Sequence, residues 1–111
     1  MLVILMVREA GLRSMLAARL ALSGIDVVSM EQVDAARIAR LGGSAPVLVA
    51  DLEAVQGLPG GLAALCSDPL WHRLMIVGGA TEVSAPHLHH ITVEEPASVI
   101  AALLRDDGTV Q

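Results

Sequence analysis

Pro46-Val-Leu-Val-Ala-Asp51 is a run of apolar residues that ends on a carboxylate. A similar run, residues 2–7, opens the chain, and both runs contain the β-branched residues that favour strands. Because neither run alternates apolar with polar residues, we predict strands that are covered on both faces, as in the centre of a parallel sheet. Asp51 would then lie at the carboxyl edge of that sheet.

Helical and strand patterns also alternate outside these two runs. Apolar residues recur at three- and four-residue spacing over residues 12–23, which predicts a helix that ends at Gly24. Residues 25–29 predict a second strand. Ser29 and Gln32 have the spacing of a capping box, so we expect the second helix to begin there.

The second half of the chain continues the alternation. A loop rich in glycine and proline leads to a third helix around residues 62–66. Residues 74–77 predict the fourth strand, residues 91–93 predict a shorter fifth strand, and a final amphipathic helix follows Pro96. This order of elements predicts right-handed crossovers and an α/β fold, with functional residues at the carboxyl ends of the strands.

The composition excludes several classes of protein. The chain has 111 residues, of which 54% are hydrophobic, and a net charge of −5. Its positive charges are arginines scattered along the chain, which argues against a nucleic-acid-binding protein. The use of arginine without any lysine is typical of GC-rich bacterial genomes. One cysteine allows no internal disulfide, and the first apolar run is too short to cross a membrane. We therefore expect one cytoplasmic domain, residues 1–111, with no nucleic acid and no membrane among its partners.

Three segments of the chain resemble the receiver domain of response regulators. They are Val3-Ile-Leu-Met-Val-Arg-Glu-Ala-Gly-Leu-Arg-Ser-Met-Leu16, Pro46-Val-Leu-Val-Ala-Asp-Leu52 and Ser67-Asp-Pro-Leu-Trp-His-Arg-Leu-Met-Ile-Val77. The resemblance implies a flavodoxin-like (CheY-like) three-layer sandwich with a five-stranded parallel sheet in the order 2-1-3-4-5. It also implies that Asp51 stands where receivers accept a phosphoryl group.

The chain departs from the receiver pattern at the other positions of the phosphorylation site. Receivers hold Mg²⁺ with an acidic pair after the first strand, and these positions are Val7 and Arg8 in this chain, followed by Glu9. Gly78 replaces the hydroxyl that follows the fourth strand, and no lysine is available after the fifth. Only a dozen residues separate Gly78 from Ile91, so the fourth helix is expected to be shortened or missing.

The chain thus resembles the degenerate pseudo-receiver branch of the family, including the atypical receivers that precede pilus-assembly and positioning ATPases. We expect a phosphorylation-independent protein-interaction module of bacterial two-component signal transduction. It would not be an enzyme, and would have no catalytic residues, no metal, no cofactor and no small-molecule substrate. One alternative is a stand-alone response regulator that is phosphorylated on Asp51 with Mg²⁺ bound through Glu9. Another is a domain similar to the anti-sigma-factor antagonists.

Three further expectations concern the surface of the domain. Arg8 either pairs with Asp51 through its guanidinium, or points to solvent while Asp51 caps the following loop. The high apolar content predicts a homodimer or a protein partner, with Ile100 and Leu104 of the final helix as interface candidates. His87-Leu-His-His90 is interpreted as a surface loop, because no carboxylate or cysteine completes a metal-ligand spacing.

Overall fold

The structure is a computed structural model that describes residues 2–41, 45–78, 83, 85–91 and 96–108. Residues 105–108 are described by their backbone alone. The described residues form, in chain order, β1 (Leu2–Met6), α1 (Ala10–Leu22), β2 (Asp26–Ser29), α2 (Ala35–Leu41), β3 (Val47–Asp51), α3 (Leu52–Gln56), α4 (Gly61–Ser67), β4 (Arg73–Val77), β5 (Leu88–Ile91) and α5 (Pro96–Gly108). Among these helices, none has the length and apolar character that crossing a membrane requires.

The five strands form a single parallel sheet in the order β2-β1-β3-β4-β5. The fold is therefore the flavodoxin-like α/β sandwich that we predicted. Every residue of β3 is buried, as expected for an apolar run at the centre of a sheet. Val49 lies opposite Leu5 on one side and Met75 on the other, and Asp51 ends the strand at its carboxyl edge.

Each face of the sheet carries its own hydrophobic cluster. Successive residues of a strand point to opposite faces, so Leu5 packs with α1 and α5 whereas Met6 packs with α2, α3 and α4. Ile100 and Leu104 belong to the first cluster and are 0% and 4% exposed. Our prediction that they line an interface is therefore corrected, because their side chains already fill the core of one copy.

The second and third helical regions differ from the predictions. α2 is capped by Asp34, whose Oδ1 accepts from the Arg37 N–H at 3.0 Å, and no capping box forms at Ser29. Ser29 stays in β2 opposite Leu5 because pairing with β1 continues to that residue. Between β3 and β4 the chain forms two short helices, α3 and α4, where we predicted one.

β5 begins before the predicted residues 91–93, of which the last two lie outside the described part of the chain. β5 runs from Leu88 to Ile91, and both of these residues are buried. His89 and His90 therefore lie inside the strand, so the interpretation of these histidines as a loop is wrong. The fourth helix of the prediction, which we expected to be shortened or missing, would lie mainly in residues 79–84. Most of these residues also lie outside the described part of the chain.

Candidate functional site

The carboxyl edge of the sheet brings together residues that the sequence singled out separately. Val7 directly follows β1, and Asp51 ends β3, which is the neighbour of β1 in the sheet. The Asp51 carboxylate therefore reaches the start of the β1–α1 loop, 43 positions earlier in the chain. Gly78 follows β4 at the same edge, since Asp51 lies opposite Val77 in the β3–β4 register.

Asp51 is held by three backbone N–H groups. Its Oδ2 accepts from the Arg8 N–H at 2.9 Å and from the Glu9 N–H at 3.1 Å. Its Oδ1 accepts from the Ala54 N–H at 2.9 Å, which caps α3. The side chain is 8% exposed and is the one buried charged group in the described part of the chain. A carboxylate offers about four lone-pair positions, so these contacts leave about one of them for other chemistry.

Arg8 contacts Asp51 through its backbone and not through its guanidinium. The side chain is exposed, and its Nη2 would lie 3.5 Å from a Cβ atom placed on Gly57, beyond the end of α3. Among the described residues, no ion pair joins this guanidinium to Asp51. Of our two interpretations, the structure has the second, in which Arg8 faces solvent and Asp51 caps the segment that follows.

The Glu9 carboxylate caps α1. Its two oxygens accept from the Gly11 N–H at 2.9 Å and from the Leu12 N–H at 2.6 Å. A Mg²⁺ site built from Glu9 and Asp51 would thus compete with two helix caps for the same oxygens. Val7 is 3% exposed and offers no ligand, so the residues at this edge do not fit a receiver-type Mg²⁺ site. In the described ranges, no group of three or more acidic, histidine or cysteine side chains is placed to hold a metal.

Gly78 has a conformational reason to be glycine. Its φ is +72°, in the left-handed region that side chains disfavour, and its N–H donates to the Ile91 carbonyl at 2.8 Å. A Cβ atom at this position would meet open space, so the cost of a side chain comes from the backbone alone. Gly78 therefore forms a turn that anchors β4 to β5.

Gly78→Ala should lower the free energy of unfolding by about 1 kcal/mol, because alanine does not readily adopt a positive φ. Gly57→Ala is the matched control, since Gly57 has φ −78° and a Cβ atom there makes only ordinary contacts. Urea denaturation followed by circular dichroism measures both variants. Equal stability of the two variants would contradict the turn geometry.

Sequence reasoning missed Arg13, a half-buried residue of α1. Its Nη1 donates to the Val7 carbonyl at 3.1 Å, so the guanidinium lies across the end of β1. It lines a depression of about 200 Å³ at the carboxyl ends of β1 and β2, together with Arg8 and Glu31. Nothing in the sequence pattern distinguished Arg13 from the other scattered arginines, because only the turn between β1 and α1 brings it back over the strand.

The remaining candidates, the histidines of β5 and Cys66, have other contacts in the fold. His89 Nε2 accepts from Arg73 Nη1 at 3.1 Å, because arginine can only donate, and His90 Nε2 lies 3.5 Å from the Val83 carbonyl oxygen. Cys66 is half-buried beside the second cluster, and burial raises the pKa of its thiol, which disfavours the reactive thiolate. These contacts give His89, His90 and Cys66 a structural role in the fold.

The site thus consists of a carboxylate fixed by backbone N–H groups and flanked by an arginine-lined depression. Comparisons of the chain with protein-family models, with curated proteins and with solved structures give no match.

Proposed function

We propose that the chain is a receiver-like domain that acts without phosphorylation, by binding a protein partner in bacterial signal transduction. The observation that carries the proposal is the set of three backbone N–H groups on the Asp51 carboxylate. In this arrangement Asp51 serves as a structural anchor between β1 and β3, at the position where a receiver has its phosphoacceptor.

The chemistry of phosphoryl transfer supports the same conclusion. Transfer to a carboxylate requires a free oxygen lone pair in line with the phosphorus, together with cations that neutralise the developing charge. Oδ2 of Asp51 already accepts two N–H donors, and Oδ1 accepts one. Val7 is apolar and buried, and the Arg8 guanidinium lies beside Gly57. The edge therefore offers a poor nucleophile and no acidic pair for Mg²⁺.

The features of the domain support a function based on binding. Its sheet and its helices form a folded surface, while the Asp51 carboxylate, which corresponds to the phosphoacceptor of a receiver, is used to stabilise the fold. A signalling domain of this kind would transmit information through the presence of its partner and not through a covalent change. The partner is a second protein or a second copy of the chain.

The test is to incubate the purified chain with acetyl phosphate and Mg²⁺ and to record its intact mass. We expect no added phosphoryl group. Asp51→Asn is run in parallel, because it removes the carboxylate nucleophile and keeps one oxygen for capping. A gain of one phosphoryl group in the natural chain that is absent from Asp51→Asn would overturn the proposal.

A further inference from the structure

We infer that two copies of this chain bind each other through the α1–α5 groove, a hollow between the end of α1 and the first turns of α5. The groove has a volume of about 600 Å³. Its lining residues include two from α1 and four from α5: Arg19, Leu22, Ala97, Ser98, Ala101 and Ala102. This inference rests on the proposed function for its protein partner and deepens it, because it names that partner as a second copy of the chain.

The α5 side of the groove has only short side chains. Ala97 and Ala101 are 4% and 6% exposed and pack towards the sheet, whereas Ser98 and Ala102 face solvent. Short side chains on adjacent turns of a helix leave room beside the helix backbone. A larger apolar side chain from another molecule can enter this room.

Leu22 is a projection on the rim of the same groove. It is 87% exposed, whereas Leu41, the other exposed large apolar residue in the described part of the chain, is 46% exposed. The last turn of α1 is fixed by hydrogen bonds, since the Ser23 N–H donates to the Leu20 carbonyl at 3.1 Å. Because the backbone that carries Leu22 is already ordered, binding costs little further conformational entropy.

A projection and a hollow on one patch fit a symmetric dimer. In a twofold dimer both copies use the same patch, so the patch must be complementary to itself. Leu22 of each copy can then enter the hollow of the other copy, and the two contacts form together. This arrangement removes two exposed leucines from water, which favours association.

The charges of the α1–α5 face are compatible with this contact. The only charged residues in segments 10–22 and 96–104 are Arg13 and Arg19. The Arg13 guanidinium donates to the Val7 carbonyl, so Arg19 is the one charge that lines the groove. The buried centres of protein interfaces are poor in charged residues, and arginine is the charged residue that interfaces favour.

The size of the face predicts a weak dimer. α1 and α5 have 13 residues each, so each helix is about 20 Å long at about 1.5 Å per residue. Two adjacent helices, each about 10 Å wide, present a face of about 400 Å² per copy. The two copies together bury about 800 Å², which is less than the ~1,200–2,000 Å² of stable complexes. We therefore expect a dissociation constant of about 100 µM.

Sedimentation equilibrium of the natural chain measures this association between about 10 µM and about 1 mM. We expect the mean mass to rise from nearly that of one copy towards that of two, with roughly four fifths of the chains paired at the highest concentration. At the lower micromolar concentrations of urea denaturation most chains are single, so the groove contributes little to the stability measured there.

Leu22→Ala and Ala102→Leu test the fit between the projection and the hollow. Leu22→Ala removes the projection and should weaken association about tenfold or more. Ala102→Leu fills the hollow and should weaken association to a similar extent, although it adds apolar surface. Both residues are exposed in one copy, so neither change disturbs the core. Leu41→Ala is the matched control, because it truncates an exposed leucine of α2 outside the groove and should leave the dissociation constant unchanged.

The inference is overturned if the natural chain has the mass of one copy at every concentration. It is also overturned if Ala102→Leu associates as strongly as the natural chain, or if Leu41→Ala weakens association as much as Leu22→Ala, since either result indicates unspecific contact between apolar surfaces. A chain that stays single leaves the proposed function with a different protein as partner. Phosphorylation of Asp51 overturns the proposed function and leaves these sedimentation results unchanged, so the two proposals can fail separately.

Discussion

Asp51→Ala is expected to lower the free energy of unfolding by about 3–5 kcal/mol, although the substitution removes only a small side chain. The carboxylate accepts from the N–H groups of Arg8, Glu9 and Ala54, and alanine leaves all three without that acceptor. A hydrogen bond to a charged group contributes about 1.5–3 kcal/mol, and water that enters the vacated space recovers part of the sum. Domains of this size have a total stability of about 5–15 kcal/mol, so the loss is large.

Asp34→Ala provides the matched control for this prediction. Asp34 is an exposed capping residue whose side chain accepts one N–H, from Arg37, and its loss should cost about 1 kcal/mol. Asp51→Asn should fall between the two alanine variants, because the amide has one acceptor oxygen and its NH₂ group faces donors. Urea denaturation of the three variants gives the comparison. Similar losses for Asp51→Ala and Asp34→Ala would contradict the anchoring role.

Hydrogen exchange gives a second, local measurement of the same anchor. In Asp51→Ala the amides of Arg8 and Glu9 should exchange faster than in the natural chain, since their acceptor is gone. In Asp34→Ala these two amides should keep their protection. This pattern separates the loss of a specific anchor from a general loss of stability.

Ile100→Ala is expected to lower the free energy of unfolding by about 3–4 kcal/mol, because the side chain is 0% exposed in the cluster between the sheet, α1 and α5. Truncating a fully buried aliphatic side chain removes its burial and leaves a cavity that the rigid surroundings fill only in part. Leu22→Ala removes a side chain of the same size that is 87% exposed, and it should change stability by no more than about 0.5 kcal/mol.

Dependence on protein concentration distinguishes a core residue from an interface residue. If Ile100 stabilised a dimer, the effect of Ile100→Ala would grow with the concentration of the chain, because association shifts stability by mass action. The position of Ile100 in the core of one copy predicts the same loss at every concentration. A loss as small as that of Leu22→Ala would contradict the packing of α5.

Much of the fold could be predicted from the sequence because burial leaves a local pattern. The apolar runs at residues 2–7 and 46–51 correspond to β1 and β3, and the structure buries both on two faces. Gly24 ends the first helix with φ +82°, a conformation that glycine adopts without strain. The alternation of such segments then leaves few ways to form a sheet.

The end of α2 nearest β2 shows where the local pattern becomes ambiguous. Ser29 and Asp34 are both residues that cap helices, and the sequence alone favoured Ser29 through its spacing to Gln32. In the structure β2 stays paired with β1 up to Ser29, and Asp34 becomes the cap. Pairing with β1, a strand that lies elsewhere in the chain, keeps Ser29 in β2 and leaves the capping of α2 to Asp34.

The sequence by itself determined the parallel α/β architecture, the place of Asp51 at the end of a buried strand and the absence of a carboxylate from Val7 and Arg8. Only the tertiary structure decided that the Asp51 carboxylate binds the N–H groups of Arg8 and Glu9, and that Ile100 faces the core. The physical reason is the range of the interactions. Periodicity records how each residue is buried within its own helix or strand, whereas hydrogen bonds and packing between distant segments depend on which elements become neighbours.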